Sequence, residues 1–174
     1  MELQQRKPNR LDTWNYNNSG SCFLTICTKD RKKCLSHIRW DSNGSYTYDS
    51  DEHRLSVELT EYGRIVERYL QSANNAGDIL VEHYVIMPDH IHAIVTVLGE
   101  RSEEKDVKKA AHERIAKFLS SFKTLCHKAA GEKFLQRSGY DHVIRNHHDY
   151  EETVRYINRN PARWYHRERY GKEQ

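Results

Sequence analysis

Two apolar segments, at residues 79–87 and 90–98, are separated only by Pro88 and Asp89, and this pair constrains the chain more than any other feature of its sequence. Each is rich in Ile and Val and shorter than a typical helix, which favours strands. Pro88 fixes its own φ and has no N–H to give to a ladder, and Asp89 readily turns the backbone. The chain therefore reverses at that point and the two strands lie antiparallel. A two-stranded hairpin is at best marginally stable in water, so the rest of the chain must supply elements that cover its apolar side.

Those elements are legible from periodicity. Residues 21–28 (SCFLTICT) read as a buried first strand followed by a basic turn at 29–33. Thr60 is placed to cap a helix with Tyr62, Ile65, Val66, Tyr69, Leu70 and Ala73 on one face, ending near Gly77. Val107, Ala111, Ile115, Phe118, Leu119, Phe122, Leu125, Cys126 and Ala129 repeat at spacings of three and four, which predicts a second helix that Gly131 can end. Residues 140–145 supply a short strand, and Tyr150, Val154 and Ile157 form a helical stripe within 149–159. Asn160-Pro161 interrupts that stripe and starts a last helix. Weak alternation over 46–59, around the polar cluster 49–53, predicts a hairpin inserted before the first helix. The order strand, helix, strand, strand, helix, strand is the split βαβ pattern. The expected class is α+β, with a ferredoxin-like or RRM-like antiparallel sheet, two packed helices and helices appended at the C-terminus. In that topology the first and third strands are central, and the third carries His90 and His92.

At 174 residues the chain reads as a single domain, 1–174, with no repeat or low-complexity tract. Residues 1–20 mix Gln, Arg, Asn and Ser around Leu11, Trp14 and Tyr16 and read as a loose arm. The four cysteines show no CxxC pair and follow no charged-then-apolar leader, so reduced thiols in a cytoplasmic protein are expected. No apolar run approaches the roughly 18 residues that span a bilayer, so no membrane partner is expected. The net charge of +3, from 28 basic and 25 acidic residues, is too small to decide a nucleic-acid partner by itself.

Residues two apart on a strand face the same way, so His90 and His92 present two imidazoles whose backbones are roughly 6–7 Å apart, able to converge on one cation. Two half-exposed histidines satisfied by water or a carboxylate are the commoner meaning of an isolated His-x-His. A His-hydrophobic-His-hydrophobic-His nucleotidyl-transfer loop is excluded because position 94 is Ile94, and neither histidine is followed by the Thr or Ser of a two-histidine phosphodiesterase. No third nitrogen, sulfur or carboxylate stands at a spacing that suggests catalytic zinc. Two imidazoles completed by oxygens suit Mg²⁺ or Mn²⁺ acting on phosphate better.

The sequence from Tyr84 to Val95 (YVIMPDHIHAIV) resembles the signature of the HUH single-strand DNA transposases, in which a bulky apolar residue separates the two histidines. Residues 23–29 (FLTICTK), Gln136-Arg137 with 140–146 (YDHVIRN), and 156–161 (YINRNP) with Trp164 resemble further blocks of that family, in the family's order, over most of the chain. Within it the chain resembles the REP-associated tyrosine transposases of the insertion sequence 200-like superfamily. The resemblance implies an RRM-like core, a divalent cation at His90 and His92, and a nucleophile at Tyr156. It also implies a single-stranded or hairpin DNA substrate and a bacterial protein working at the nucleoid. It places Asn160, one turn after the tyrosine, as a further metal ligand, beside the plain alternative that Asn160 only caps the last helix. A homodimer, and an active site shared between its chains, stay open.

The residues agree with that assignment of Tyr156. The chain has eleven tyrosines, and packing is the ordinary role of each. At about 100° per residue, however, Tyr156 falls roughly 100–130° from the stripe of Tyr150, Val154 and Ile157, so the core does not need it. If the helix continues, Asn160 shares its face. A phenol with an ordinary pKa of about 10 is a poor nucleophile and needs a cation nearby. Arg155, Arg159 and Arg163 supply charge locally and are the candidate DNA contacts. Arg167, Arg169 and Lys172, with clusters at 31–33 and 105–109, extend the basic character. Asp141 and His142 serve either the site or the fold. Trp14, Trp40 and Trp164 are base-stacking candidates for which burial is the commoner fate.

The expected reaction is transesterification, leaving a 5′-phosphotyrosine and a free 3′-hydroxyl, with no nucleotide cofactor and no GxxxxGK[ST] loop. Two other functions fit the same sequence less well. A noncatalytic single-strand or hairpin DNA-binding regulator derived from a transposase would expose aromatics on its central strands, and the His90, His92, Ile94, Thr96 face has none. A phosphodiesterase that hydrolyses without a covalent intermediate would leave Tyr156 dispensable.

Overall fold

The computed structural model describes residues 20–40, 55–75, 77–98 and 107–171, with side chains of the second helix described from residue 114. The arm at 1–19, the polar cluster at 49–53, the side chains at 105–109, Trp14 and Lys172 lie outside the described residues.

A four-stranded sheet forms the centre: β1 (Gly20–Cys27), β4 (Ile79–Ile86), β5 (His90–Val97) and β6 (Tyr140–Val143) lie in the order β4-β5-β1-β6, with every pair antiparallel. This is the α+β, ferredoxin-like arrangement expected, with β1 and β5 central. Registration sets Thr25 opposite both His92 and Tyr140, and Phe23 opposite both Ile94 and His142. The chain reverses between β4 and β5 at Pro88-Asp89, where the Met87 N–H donates to the His90 carbonyl at 2.8 Å.

Alternation sorts the side chains of the sheet onto two faces. On one, Cys22, Leu24, Ile26, Ile91, Ala93 and Val95 are buried against two helices, α1 (Glu61–Ala73) through Val66 and Leu70, and α2 (Val107–Ala130) through Ile115, Phe122 and Cys126. Thr60 caps α1 as expected, its hydroxyl accepting from the Gly63 N–H at 3.2 Å. Gly63 is required there, because a Cβ would run into the Leu35 carbonyl. On the other face a single helix, α3 (His147–Tyr170), packs Ile157 against Ile94 and Ile144, with Phe23, Val85, Tyr150 and Val154 alongside.

Two expectations are corrected. The inserted hairpin exists, but its strands are β2 (Ser36–Trp40) and β3 (Leu55–Leu59), paired from Ser36–Leu59 to Trp40–Leu55. The first strand, SHIRW, is only five residues long and has two apolar residues, Ile38 and Trp40, too short a run to stand out as a strand. It is held by tertiary contact, including the Ser36 hydroxyl donating to the Ile86 carbonyl at 2.7 Å. Asn160-Pro161 does not end one helix and begin another: α3 runs through it, with Pro161 interior and buried. Asn160 is therefore no N-cap. That role belongs to Asn146, whose side chain accepts from the Asp149 N–H at 2.9 Å.

Candidate active site

His90 opens β5 directly after the Pro88-Asp89 turn, and the turn is pinned from outside. The Thr28 N–H and hydroxyl donate to the Asp89 carbonyl at 2.9 and 3.0 Å, and the Leu35 N–H donates to the Pro88 carbonyl at 3.0 Å. The position of the first histidine thus follows from three hydrogen bonds to the turn's backbone carbonyls and two residues of turn chemistry. His92 follows on the same face, and the two rings lie 4.5 Å apart between centroids.

Each ring is oriented through its Nδ1. For His90 the partner is the Asp89 carboxylate at 2.5 Å, and for His92 it is the Thr25 hydroxyl at 3.0 Å. Nε2 is the remaining nitrogen of each ring, and a partner held at Nδ1 is the arrangement that fixes tautomer and angle in metal sites. Both histidines are buried, at 7% and 4% exposure. Burial holds the His90 imidazole below its ordinary range, although Asp89 pulls the other way. Burial, the neighbouring His90 and Arg31 together lower His92 to about 3. Both are neutral near pH 7, as nitrogen ligands must be.

α3 brings the rest. The Tyr156 ring lies edge-on to His92 at 5.3 Å and to Phe23 at 5.7 Å, and the tyrosine is 40% exposed. One turn on, Asn160 is 8% exposed and its side chain hydrogen-bonds His90. Trp164 lies 5.9 Å from the His90 ring. Because α3 is continuous, Tyr156, Asn160, Arg163 and Arg167 fall on one face at intervals of about one turn. They close over the sheet to form a cavity of about 410 Å³.

The walls of that cavity are cationic. Arg31, Arg163 and Arg167 line it; Arg163 sits over the Tyr156 ring at 5.8 Å and Arg167 over Trp164 at 4.8 Å. Arg31 lies 3.6 Å from the Asp89 carboxylate and donates to the Cys27 sulfur at 3.0 Å. It follows Asp30 with a φ of 55° at both residues, left-handed backbone that non-glycine residues adopt at a cost and that gathers at functional sites.

Of the residues singled out in the sequence, His90, His92, Tyr156, Asn160 and Arg163 meet in this cavity. Arg155 and Arg159 are not part of its lining, and Arg155 instead pairs with Glu152 at 2.7 Å. His142 bonds Asp149 at 3.2 Å beside the start of α3, and Asp141 is buried on the opposite face; neither lines the cavity. Trp164 is buried at its wall, and Trp40 lies 6.4 Å from Tyr165. Phe23, Thr25 and Tyr140 escaped the sequence reading because only the strand register brings them to the cavity that His92 lines. Asp89 was legible solely as a turn residue.

The donor set fits a hard divalent cation: two oriented neutral imidazoles with a buried amide beside them. Among the described residues no group of three or more His, Cys, Asp or Glu side chains gathers, so such an ion would complete its shell with amide, water or substrate oxygens.

The class this defines is an RRM-like sheet with paired imidazoles on a central strand, faced by an exposed tyrosine on a covering helix. Comparison with solved structures agrees at the level of fold. A REP-associated tyrosine transposase, solved bound to a REP hairpin, superposes with a TM-score of 0.55 at 19% identity, covering 94% of this chain and 74% of that one. The expected tyrosine transposase-like fold is therefore present. In sequence, an uncharacterised protein of Haemophilus influenzae is 24% identical over 178 residues, covering 93% of this chain and 91% of its own. No family model matches the chain. No helix among the described residues is long and apolar enough to cross a membrane.

Proposed function

We propose that this protein is a DNA strand transferase that cleaves and rejoins single-stranded or hairpin DNA through Tyr156. The observation that carries this reading is the exposed Tyr156 ring set 5.3 Å from His92 over a cavity lined by arginines. The shared fold with a transposase solved on a DNA hairpin supports the choice of DNA over other phosphodiesters.

His90 and His92, with the Asn160 amide beside them, would hold a Mg²⁺ or Mn²⁺, which when bound would supply Lewis-acid polarisation of the scissile phosphate. The protein's own groups do the rest. Arg31, Arg163 and Arg167 draw the phosphate into the cavity and offset its charge. The Tyr156 oxygen attacks phosphorus in line; the new P–Oη bond forms as the bond to the 3′-oxygen breaks. The phenol loses its proton to solvent and the departing 3′-oxygen gains one. The product is a 5′-phosphotyrosine with a free 3′-hydroxyl. Attack by another 3′-hydroxyl reverses the step and joins strands. One phosphoester replaces another, so no nucleotide cofactor enters the balance.

Tyr156→Phe tests this. The ring is kept, and a half-exposed hydroxyl contributes no more than about 0.5–1.5 kcal/mol to stability, so fold and DNA binding should persist. Single-stranded segments flanking the gene should give a covalent protein–DNA band on a denaturing gel with wild type, Tyr150→Phe and Tyr165→Phe, and none with Tyr156→Phe. An adduct that survives Tyr156→Phe would move the nucleophile elsewhere, Tyr140 being the other exposed phenol at the cavity. Cleavage without any adduct in wild type would instead establish a hydrolytic phosphodiesterase.

A further inference from the structure

A second aromatic side chain stands exposed at the same cavity. Tyr140, at the start of the edge strand β6, is 54% exposed and belongs to neither apolar cluster of the fold. Its place is set by backbone: it pairs with Thr25, whose other neighbour is His92. A Cβ on the preceding Gly139 would lie 3.1 Å from the Thr25 carbonyl oxygen, tighter than ordinary contact, so glycine there lets β6 approach β1 closely. A large apolar ring left in water on a rigid edge strand does little for stability, but it offers a flat face.

The opposite wall is cationic. Arg163 and Arg167 lie over aromatic rings, and no carboxylate among the described residues is paired with either. Arg31 stands on the turn after β1. The cavity, at about 410 Å³, lies within the range of roughly 300–1,000 Å³ of small-molecule sites. It thus has the Tyr140 ring on the sheet side, two guanidinium groups on α3 and a third on the turn after β1. That polarity matches a nucleotide, whose base stacks and whose phosphates carry charge.

We propose that Tyr140 is a stacking platform for one unpaired base, holding the nucleotide beside the phosphate that Tyr156 attacks. The inference rests on the DNA reading above and adds to it the residue that seats the substrate strand. Because every base has a π face, the platform accepts an unpaired base of any kind and rejects one already stacked in a duplex.

The test uses a short oligothymidylate carrying one 2-aminopurine, bound in EDTA by the full-length Tyr156→Phe protein so that no strand is cut. Stacking on Tyr140 quenches the 2-aminopurine. Tyr140→Ala should abolish that quench and weaken binding roughly 5- to 150-fold, the span of one base–aromatic stack. Tyr140→Phe, which keeps the ring, should bind like the parent, and it preserves the test should the alanine variant fail to fold. Quench and affinity unchanged in a folded Tyr140→Ala protein would overturn the platform. If wild type also forms an adduct in that case, strand transfer stands without it. A Tyr140-dependent quench without any adduct would support the platform and overturn strand transfer.

Discussion

Asp89→Asn isolates the contact that orients the first histidine. The substitution keeps size, shape and a turn-forming side chain, and the three hydrogen bonds that the Pro88 and Asp89 carbonyls accept do not involve the carboxylate. What changes is the acceptor of the 2.5 Å bond from His90 Nδ1, from an anionic oxygen to an amide oxygen. Hydrogen bonds to charged groups contribute about 1.5–3 kcal/mol against about 0.5–1.5 for neutral ones, so roughly 1–1.5 kcal/mol of orientation is lost. Arg31 adds little to this: it is 3.6 Å away and its side chain is 55% exposed, where ion pairs are screened. Each 1.4 kcal/mol is a factor of ten, so Mn²⁺ affinity should fall about tenfold, at the lower edge of the 10–100-fold that outer-shell partners usually command. The measurement is a Mn²⁺ titration read by the electron paramagnetic resonance of the free ion, with a thermal melt to show that the fold is kept. Asp89→Asn binding Mn²⁺ as tightly as wild type would refute the orienting role, and a wild type that binds no Mn²⁺ would refute the metal site itself.

Two further outcomes follow from the geometry. Arg163→Ala should weaken single-strand binding and reduce the salt dependence by about 0.7 in log–log slope, one phosphate contact, whereas Arg155→Ala, tied to Glu152 outside the cavity, should change affinity less than about twofold. Anisotropy across a salt series decides this, and equal losses for the two variants would contradict the assignment of the cavity. The buried histidines set a pH dependence as well: with His92 lowered to about 3 and His90 also lowered, the unfolded chain binds protons that the folded one does not as pH falls below about 6.5. Stability is therefore full above that pH and is lost towards pH 3 by up to about 1.4 kcal/mol per pH unit through His92, with His90 acting in the same direction. Urea midpoints at pH 7, 6 and 5 should fall in that order, and His92→Asn should flatten the trend; a midpoint that rises on acidification would show the histidines to be charged in the fold.

The sequence disclosed elements wherever local chemistry and tertiary packing agree. Pro88-Asp89 between two Ile- and Val-rich runs fixed a strand pair, and Thr60 with its apolar stripe fixed α1, because cap, period and core face all point the same way. The site was legible in part for the same reason: His90 and His92 share a face by the geometry of any strand, and Tyr156 lies off an apolar stripe by the geometry of any helix. What stayed hidden depends on register. Thr25 reaches His92, and Tyr140 reaches the same cavity, only because β1 lies between β5 and β6 at one particular stagger, which no local signal encodes. β2 was hidden because its five residues carry only two apolar side chains, Ile38 and Trp40, and its pairing with β3 is decided by the surfaces it meets.

Pro161 shows how packing sets the site as well as the fold. A proline inside a helix removes the hydrogen bond to the carbonyl four residues back, here Ile157, and costs about 3 kcal/mol. On local grounds the helix should break at Asn160. It does not, because buried side chains lie on both sides of the break: Ile157 against Ile94, and Trp164 beside His90. Burying each such side chain contributes about 1.5–3 kcal/mol, enough together to exceed the loss. Continuity then has a chemical result. Four residues along an unbroken helix rise about 6 Å on one face, so Tyr156 and Asn160 stand side by side over the two imidazoles, with Arg163 and Arg167 following on the same side. Were the helix broken at Asn160, the amide would turn to cap a new helix and the spacing between phenol and amide would be set by a hinge. The burial of Ile157 and Trp164 therefore does more than attach α3 to the sheet: it holds the Tyr156 phenol and the Asn160 amide at a fixed separation over His90 and His92.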